Sequence, residues 1–217
     1  MPVIESISRL RLLPVISLSG VEKAEPLATA LIDGGLPVAE ITLRTDSALA
    51  GISKLADKQD FLVGAGTVHS AEQARQAADA GARFIVTPGI NPKTVTYCLD
   101  KGIPVYPGIS SPTDLETAME LGLSVVKFFP AELNGGVKML KALQGPYEQM
   151  KFVPTGGINL SNLQSYLDLE SVVACGGSWM VKKDLIREDR FDEIRQLTSQ
   201  AVEITSNIES QENGMQS

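Results

Sequence analysis

The chain has 217 residues, 43% of them hydrophobic, a net charge of −7 and no basic cluster. That is apolar material enough for one domain with a substantial core, and the acidic balance excludes nucleic acid as a general partner while leaving room for a small anionic ligand. No apolar run approaches a membrane span, and Met1-Pro2-Val3-Ile4-Glu5 lacks the basic and apolar regions of a signal peptide, so a cytoplasmic protein without membrane contact is expected.

At the N-terminus, Ile4, Ile7 and Leu10 have helical spacing and predict an extra helix over one end of the domain. Eight short apolar runs follow: Leu13–Leu18, Val38–Arg44, Phe61–Thr67, Phe84–Gly89, Pro104–Ser110, Val125–Pro130, Phe152–Gly156 and Val172–Gly176. Their starts lie roughly 20 to 27 residues apart, room for one helix between each pair, which favours parallel βα units over hairpins. Ser19 with Glu22 and Ser70 with Gln73 have capping-box spacing, and Asn91-Pro92 and Ser111-Pro112 put a capping side chain before a first-turn proline. Gly34-Gly35, Gly81, Gly102 and Gly122 stand where helices should stop. Pro26 would break a helix already more than a turn old, so the first of these helices is started near Glu22. Phe191, Ile194, Leu197, Ala201 and Val202 predict a last helix, giving one domain over 1–205 and a polar tail over 206–217 expected to be disordered.

Eight β/α repeats in so short a chain point to an α/β fold, a single (β/α)₈ TIM barrel, with an open doubly wound sheet as the alternative. The second strand favours the barrel. Ala39, Ile41 and Leu43 make one parity apolar, whereas Glu40, Thr42 and Arg44 occupy the other. A barrel explains this directly, because helices cover the outward parity and the inward one lines a site toward the strand's C-terminal end.

The sixth run, Ser124-Val125-Val126-Lys127-Phe128-Phe129-Pro130-Ala131-Glu132, is a buried-strand pattern with a lysine in its middle. Burial disfavours an ammonium, so such a lysine gives up its proton more readily than a free one, and a neutral amine attacks carbonyls. An arbitrary strand lysine more often snorkels to the strand end or pairs with a carboxylate. An inward-facing Glu40 admits both readings: a structural ion pair that holds the proton on Lys127, or a Schiff-base lysine with a carboxylate to move protons. Gly156-Gly157 and Gly176-Gly177-Ser178 follow strands seven and eight, where barrels commonly bind phosphate through backbone N–H groups. His69 is placed at a solvated helix start, Cys98 and Cys175 are read as reduced structural thiols, and no spacing supports a catalytic metal.

Glu40-Ile41-Thr42-Leu43-Arg44, Gly64-Ala65-Gly66-Thr67-Val68, Phe84-Ile85-Val86-Thr87-Pro88-Gly89, Val126-Lys127-Phe128-Phe129-Pro130-Ala131-Glu132, Pro154-Thr155-Gly156-Gly157-Ile158 and Gly176-Gly177-Ser178-Trp179 closely resemble the 2-keto-3-deoxy-6-phosphogluconate (KDPG) aldolases. These are also described as 4-hydroxy-2-oxoglutarate (KHG) aldolases. The resemblance runs from about residue 5 to about residue 200. It implies a class I aldolase of the Entner–Doudoroff pathway, with Lys127 forming the Schiff base and Glu40 as general acid/base. Arg44 and Thr67 would hold the carboxylate end of pyruvate, Pro88, Phe129 and Thr155 would line the pocket, and Gly156, Gly157 and Ser178 would take the phosphate end. It also implies a homotrimer, with no metal and no cofactor beyond the covalent link to substrate. The alternatives left are a phosphosugar isomerase or epimerase on the same barrel, and a catalytically silent phospho-ligand binding protein.

Overall fold

A computed structural model of the chain describes residues 2–214, with side chains described as far as Ser206. Of the tail expected over 206–217, the backbone of 206–214 continues the last helix, and 215–217 lie outside the described residues. The first helix, α1 (Val3–Leu10), buries Ile7 and stops at Arg11, whose left-handed backbone (φ 56°) lets its N–H donate to the Ile7 carbonyl at 2.9 Å. Strand β1 (Leu12–Ile16) follows at once.

The chain then alternates strand and helix: α2 (Ala24–Asp33), β2 (Val38–Thr42), α3 (Ala48–Ala56), β3 (Leu62–Gly66), α4 (Ala71–Asp79), β4 (Ile85–Val86) and α5 (Pro92–Asp100). After these come β5 (Val105–Tyr106), β6 (Gly108–Ile109), α6 (Pro112–Glu120), β7 (Val125–Phe128), α7 (Gly136–Gln144) and β8 (Lys151–Pro154). The series closes with α8 (Leu163–Leu167), β9 (Cys175–Gly177), α9 (Lys183–Arg187) and α10 (Phe191–Gly214).

Local chemistry sets most of the boundaries. Ser70 accepts from the Gln73 N–H, Asn91 from the Lys93 N–H, and Ser111 and Asp114 close a reciprocal capping box. The Ser19–Glu22 spacing makes no such box. A 3₁₀ turn, Val21–Lys23, precedes α2 there, capped by Gly20 without a side-chain bond, and Pro26 falls in the first turn of α2, where a helix N–H has no partner to lose.

Every strand pairing is parallel. One run of neighbours is β5-β4-β3-β2-β1-β9 and the other β6-β7-β8. Two features join them into a closed eight-stranded barrel. Single bridges Phe152↔Val172 and Thr155↔Gly176 link β8 to the β9 segment. At the other seam β5 and β6 are two halves of the strand expected over Pro104–Ser110. Pro107 has no N–H and interrupts the ladder, so β5 pairs with β4 and β6 with β7. The Pro107 carbonyl still accepts from the Lys127 N–H at 2.9 Å, so the wall is continuous through the kink.

Outward-facing Ala39 and Ile41 of β2 are fully buried beneath helices, while Glu40 and Thr42 are buried inside the barrel at 1% exposure each. Cys98 and Cys175 are free and buried, and burial pushes the Cys98 thiol up to about 11 and that of Cys175 higher still. Both are therefore packing residues. Among the described residues no helix is long and apolar enough to cross a membrane.

Candidate active site

β2 and β7 each carry one charged residue on the inward parity, and the closed barrel brings them together across 87 residues of sequence. Lys127 Nζ lies 3.4 Å from Glu40 Oε1, with the two side chains 7% and 1% exposed. This is longer than the 2.7–2.9 Å usual for a charge-assisted bond. The amine also stands 5.2 Å from the centre of the Phe129 ring. The second oxygen, Glu40 Oε2, is buried with no hydrogen-bond partner in the protein, an arrangement that ordinarily costs about 1–3 kcal/mol.

Room for that carboxylate comes from β3. A Cβ placed on Gly66 would come within 1.9 Å of Glu40 Oε1. Gly66→Ala is expected to push the carboxylate off Lys127, lowering kcat more than about 10-fold and stability by about 1–3 kcal/mol, as read from steady-state rates and thermal melts.

Above the pair is an inner chamber of about 140 Å³, with Lys127, Phe129 and Thr155 at its base and Arg44, Gly156, Gly157 and Ser178 toward its mouth. It adjoins an outer chamber of about 570 Å³, the two sharing Val15, Arg44, Gly157, Ile158 and Ser178. Depth and chemistry run in parallel. Lys127, Glu40 and Thr155 are buried, whereas Arg44, Gly157 and Ser178 are exposed at the rim.

The rim is shaped by unusual backbone. Gly156 and Gly157 hold φ 102° and 86°, conformations open to glycine. Their carbonyls are tied outside the chamber: Gly156 O accepts from the Glu132 N–H at 3.1 Å, and Gly157 O from the side-chain amides of Asn159 at 3.2 Å and Asn162 at 3.1 Å. Thr67 is β-branched yet sits at φ 57°, a strained conformation of the kind that gathers at functional sites. Its hydroxyl accepts from Arg44 Nε at 3.2 Å.

Of the residues singled out from sequence, eight line the inner chamber or its floor: Glu40, Arg44, Lys127, Phe129, Thr155, Gly156, Gly157 and Ser178. Thr67 reaches it through Arg44. Pro88 does not line it, because the chain turns after β4 and the Pro88 carbonyl packs against Gly108 of β6. His69 is exposed, and its N–H donates to Gln73 Oε1 at the start of α4. Sequence reasoning missed Val15 and Ser17 at the end of β1, and Asn159, Lys182 and Lys183 around the outer chamber. For the lysines a signal was present: two cations four and five residues after the second glycine turn. Beneath the pair, Ile4 and Ile7 of α1 reach up with Leu13, Val86 and Val153 to enclose a space of about 10 Å³, and Tyr106 beside them is pushed up to about 12 by burial. Among the described residues no group of three or more His, Cys, Asp or Glu is gathered to hold a metal.

The family model for KDPG and KHG aldolases matches residues 3–197. A 2-dehydro-3-deoxy-phosphogluconate aldolase of Haemophilus influenzae is 49% identical over 203 residues, 93% of this chain and 96% of that one. A KHG/KDPG aldolase of Escherichia coli is 44% identical over 88% of this chain and 90% of its own. Among solved structures, the KDPG aldolase of Legionella pneumophila, with pyruvate captured as a covalent carbinolamine, superimposes with a TM-score of 0.88 at 38% identity, covering 92% of this chain and 97% of that one. Likeness of this extent in sequence and in structure, from α1 into α10, makes the assignment plain: the chain belongs to the KDPG and KHG aldolase family.

Proposed function

We propose that the chain is a class I aldolase that cleaves KDPG to pyruvate and glyceraldehyde 3-phosphate, and that it also cleaves KHG to pyruvate and glyoxylate. The observation that carries this reading is the buried lysine–carboxylate pair at the floor of a chamber whose mouth holds Arg44, Ser178 and the backbone of Gly156 and Gly157.

Lys127 attacks the C2 ketone. Glu40, directly or through a water, protonates the departing hydroxyl of the carbinolamine, which leaves as water and gives the protonated imine. With its carboxylate restored, Glu40 takes the C4 hydroxyl proton. The C3–C4 bond breaks, its electrons move into the imine to give an enamine, and the aldehyde departs. Protonation at C3 and addition of water then release pyruvate and the free amine. Glu40 Oε2, which no protein donor engages, is the acceptor available for that hydroxyl. Arg44, steadied by Thr67, holds the carboxylate of the keto acid. Phe129 and Thr155 line the pocket, and Gly156, Gly157 and Ser178 face the phosphate end. The imine itself is the electron sink, so the scheme calls for no cofactor or metal.

A lactate dehydrogenase coupled assay tests this. One pyruvate is expected per KDPG consumed, and KHG should also release pyruvate. A phosphosugar isomerase or a silent binding protein would release none. The family resemblance implies a cytoplasmic homotrimer, and light scattering should then give about three times the 23.2 kDa chain mass.

A further inference from the structure

The outer chamber carries two charges, those of Lys182 and Lys183, that the catalytic scheme does not use. Its charged lining residues are Arg44, Lys182 and Lys183, with no carboxylate among the lining, in a chain whose net charge is −7. Both lysines are exposed, and among the described residues neither makes an ion pair or a side-chain hydrogen bond. Some surface cations elsewhere are paired, Lys23 with Asp189, Arg75 with Glu72 and Asp79, Arg190 with Glu193, but what sets Lys182 and Lys183 apart is that they line a chamber together with Arg44. Asp184, next in the chain, is not part of the lining.

The lysines also sit in one particular place. They share the chamber with Gly157, Asn159 and Ser178, and Lys127, which lines the inner chamber, is not part of the outer lining. A concave wall focuses the field of like charges into the space it encloses. An ammonium on a flexible stem serves as a point charge for phosphate, where it needs no fixed fork geometry.

We propose that Lys182 and Lys183 are specificity-determining residues. They engage the outward face of the phosphate of a phosphorylated 2-oxo acid whose inward face meets Gly156, Gly157 and Ser178, and strengthen this chain's preference for phosphorylated over unphosphorylated substrates. This rests on the aldolase reading above. Because the two side chains stand in solvent, their contribution is modest per residue and screened by salt.

The test is the double variant Lys182→Ala, Lys183→Ala against the wild type, with two readouts. Cleavage of KDPG probes the distal end, and exchange of the pyruvate methyl protons in D₂O, followed by NMR, probes chemistry at Lys127 without any distal group. For KDPG at low ionic strength, kcat/KM is expected to fall about 10-fold, chiefly through KM, and the fall should shrink in 0.5 M salt (roughly a 4 Å Debye length). Proton exchange should change less than about twofold, and the Lys→Arg double variant should recover most of the KDPG activity. An unchanged KM for KDPG, or an equal loss in both readouts, overturns the specificity role. Wild-type protein that neither exchanges pyruvate protons nor cleaves KDPG overturns the aldolase reading, and the inference with it.

Discussion

Treatment with pyruvate and borohydride is expected to add a reduced three-carbon label to Lys127 and to no other lysine, and Lys127→Ala is expected to lose both the label and turnover, by at least about 10⁴-fold. That loss corresponds to roughly 5 kcal/mol of barrier. The expectation follows from placement. Lys127 is 5% exposed, lies on the inward parity of β7 and has an open chamber over its nitrogen. Peptide mapping locates the label, and a label on Lys182 or Lys183 in place of Lys127 would sink the scheme. Folding must be checked beside activity, because Lys127→Ala leaves Glu40 buried without its cation. Stripping one partner from such a pair costs about 3–5 kcal/mol unless the carboxyl takes up a proton. The Lys127→Met, Glu40→Gln double variant removes both charges and is expected to melt above Lys127→Ala while remaining inactive. That outcome separates lost chemistry from lost stability.

Glu40→Gln is expected to slow cleavage by about 10² to 10⁴ while leaving the protein able to trap pyruvate on Lys127 under borohydride. The amide matches the carboxylate in shape and keeps an oxygen toward the amine, but it cannot cycle a proton between C4 oxygen, carbinolamine and enamine. Slow exchange of the pyruvate methyl protons should accompany the slow cleavage, since both require the same base. If the glutamine variant exchanged those protons at the wild-type rate, the base would have to lie elsewhere, and Tyr106, the other titratable side chain lining the space beneath the pair, would be the next residue to test.

Much of the architecture was legible because repeating local signals agreed with one another. The alternation in Val38–Thr42, the caps at Ser70, Asn91 and Ser111 and the eightfold strand rhythm each depend on residues near one another in sequence. The split of strand five was not legible. A proline inside an apolar run reads as a strand interruption only when the partners on both sides are known, and Pro107 turns out to hand the strand from β4 to β6's partner β7. The site divides in the same way. That Glu40 and Lys127 face inward follows from parity, but their 3.4 Å approach depends on Gly66 leaving a gap on a third strand. On the question of ion pair or reactive amine, the geometry shows a contact, but a loose one, with one oxygen uncommitted. Lys182 and Lys183 escaped notice because the segment after β9 has no periodicity to assign them a side.

The helix at the start of the chain has a kinetic corollary. Ile4 and Ile7 stopper the barrel directly below Lys127, so under the proposed Schiff-base scheme traffic uses the opposite doorway, past Arg44 and Ser178. Once the carbon–carbon bond is cut, the three-carbon fragment tethered at the bottom is queued behind the aldehyde standing in the vestibule. Release is therefore sequential, aldehyde before keto acid, and in the condensing direction the keto acid must be seated first.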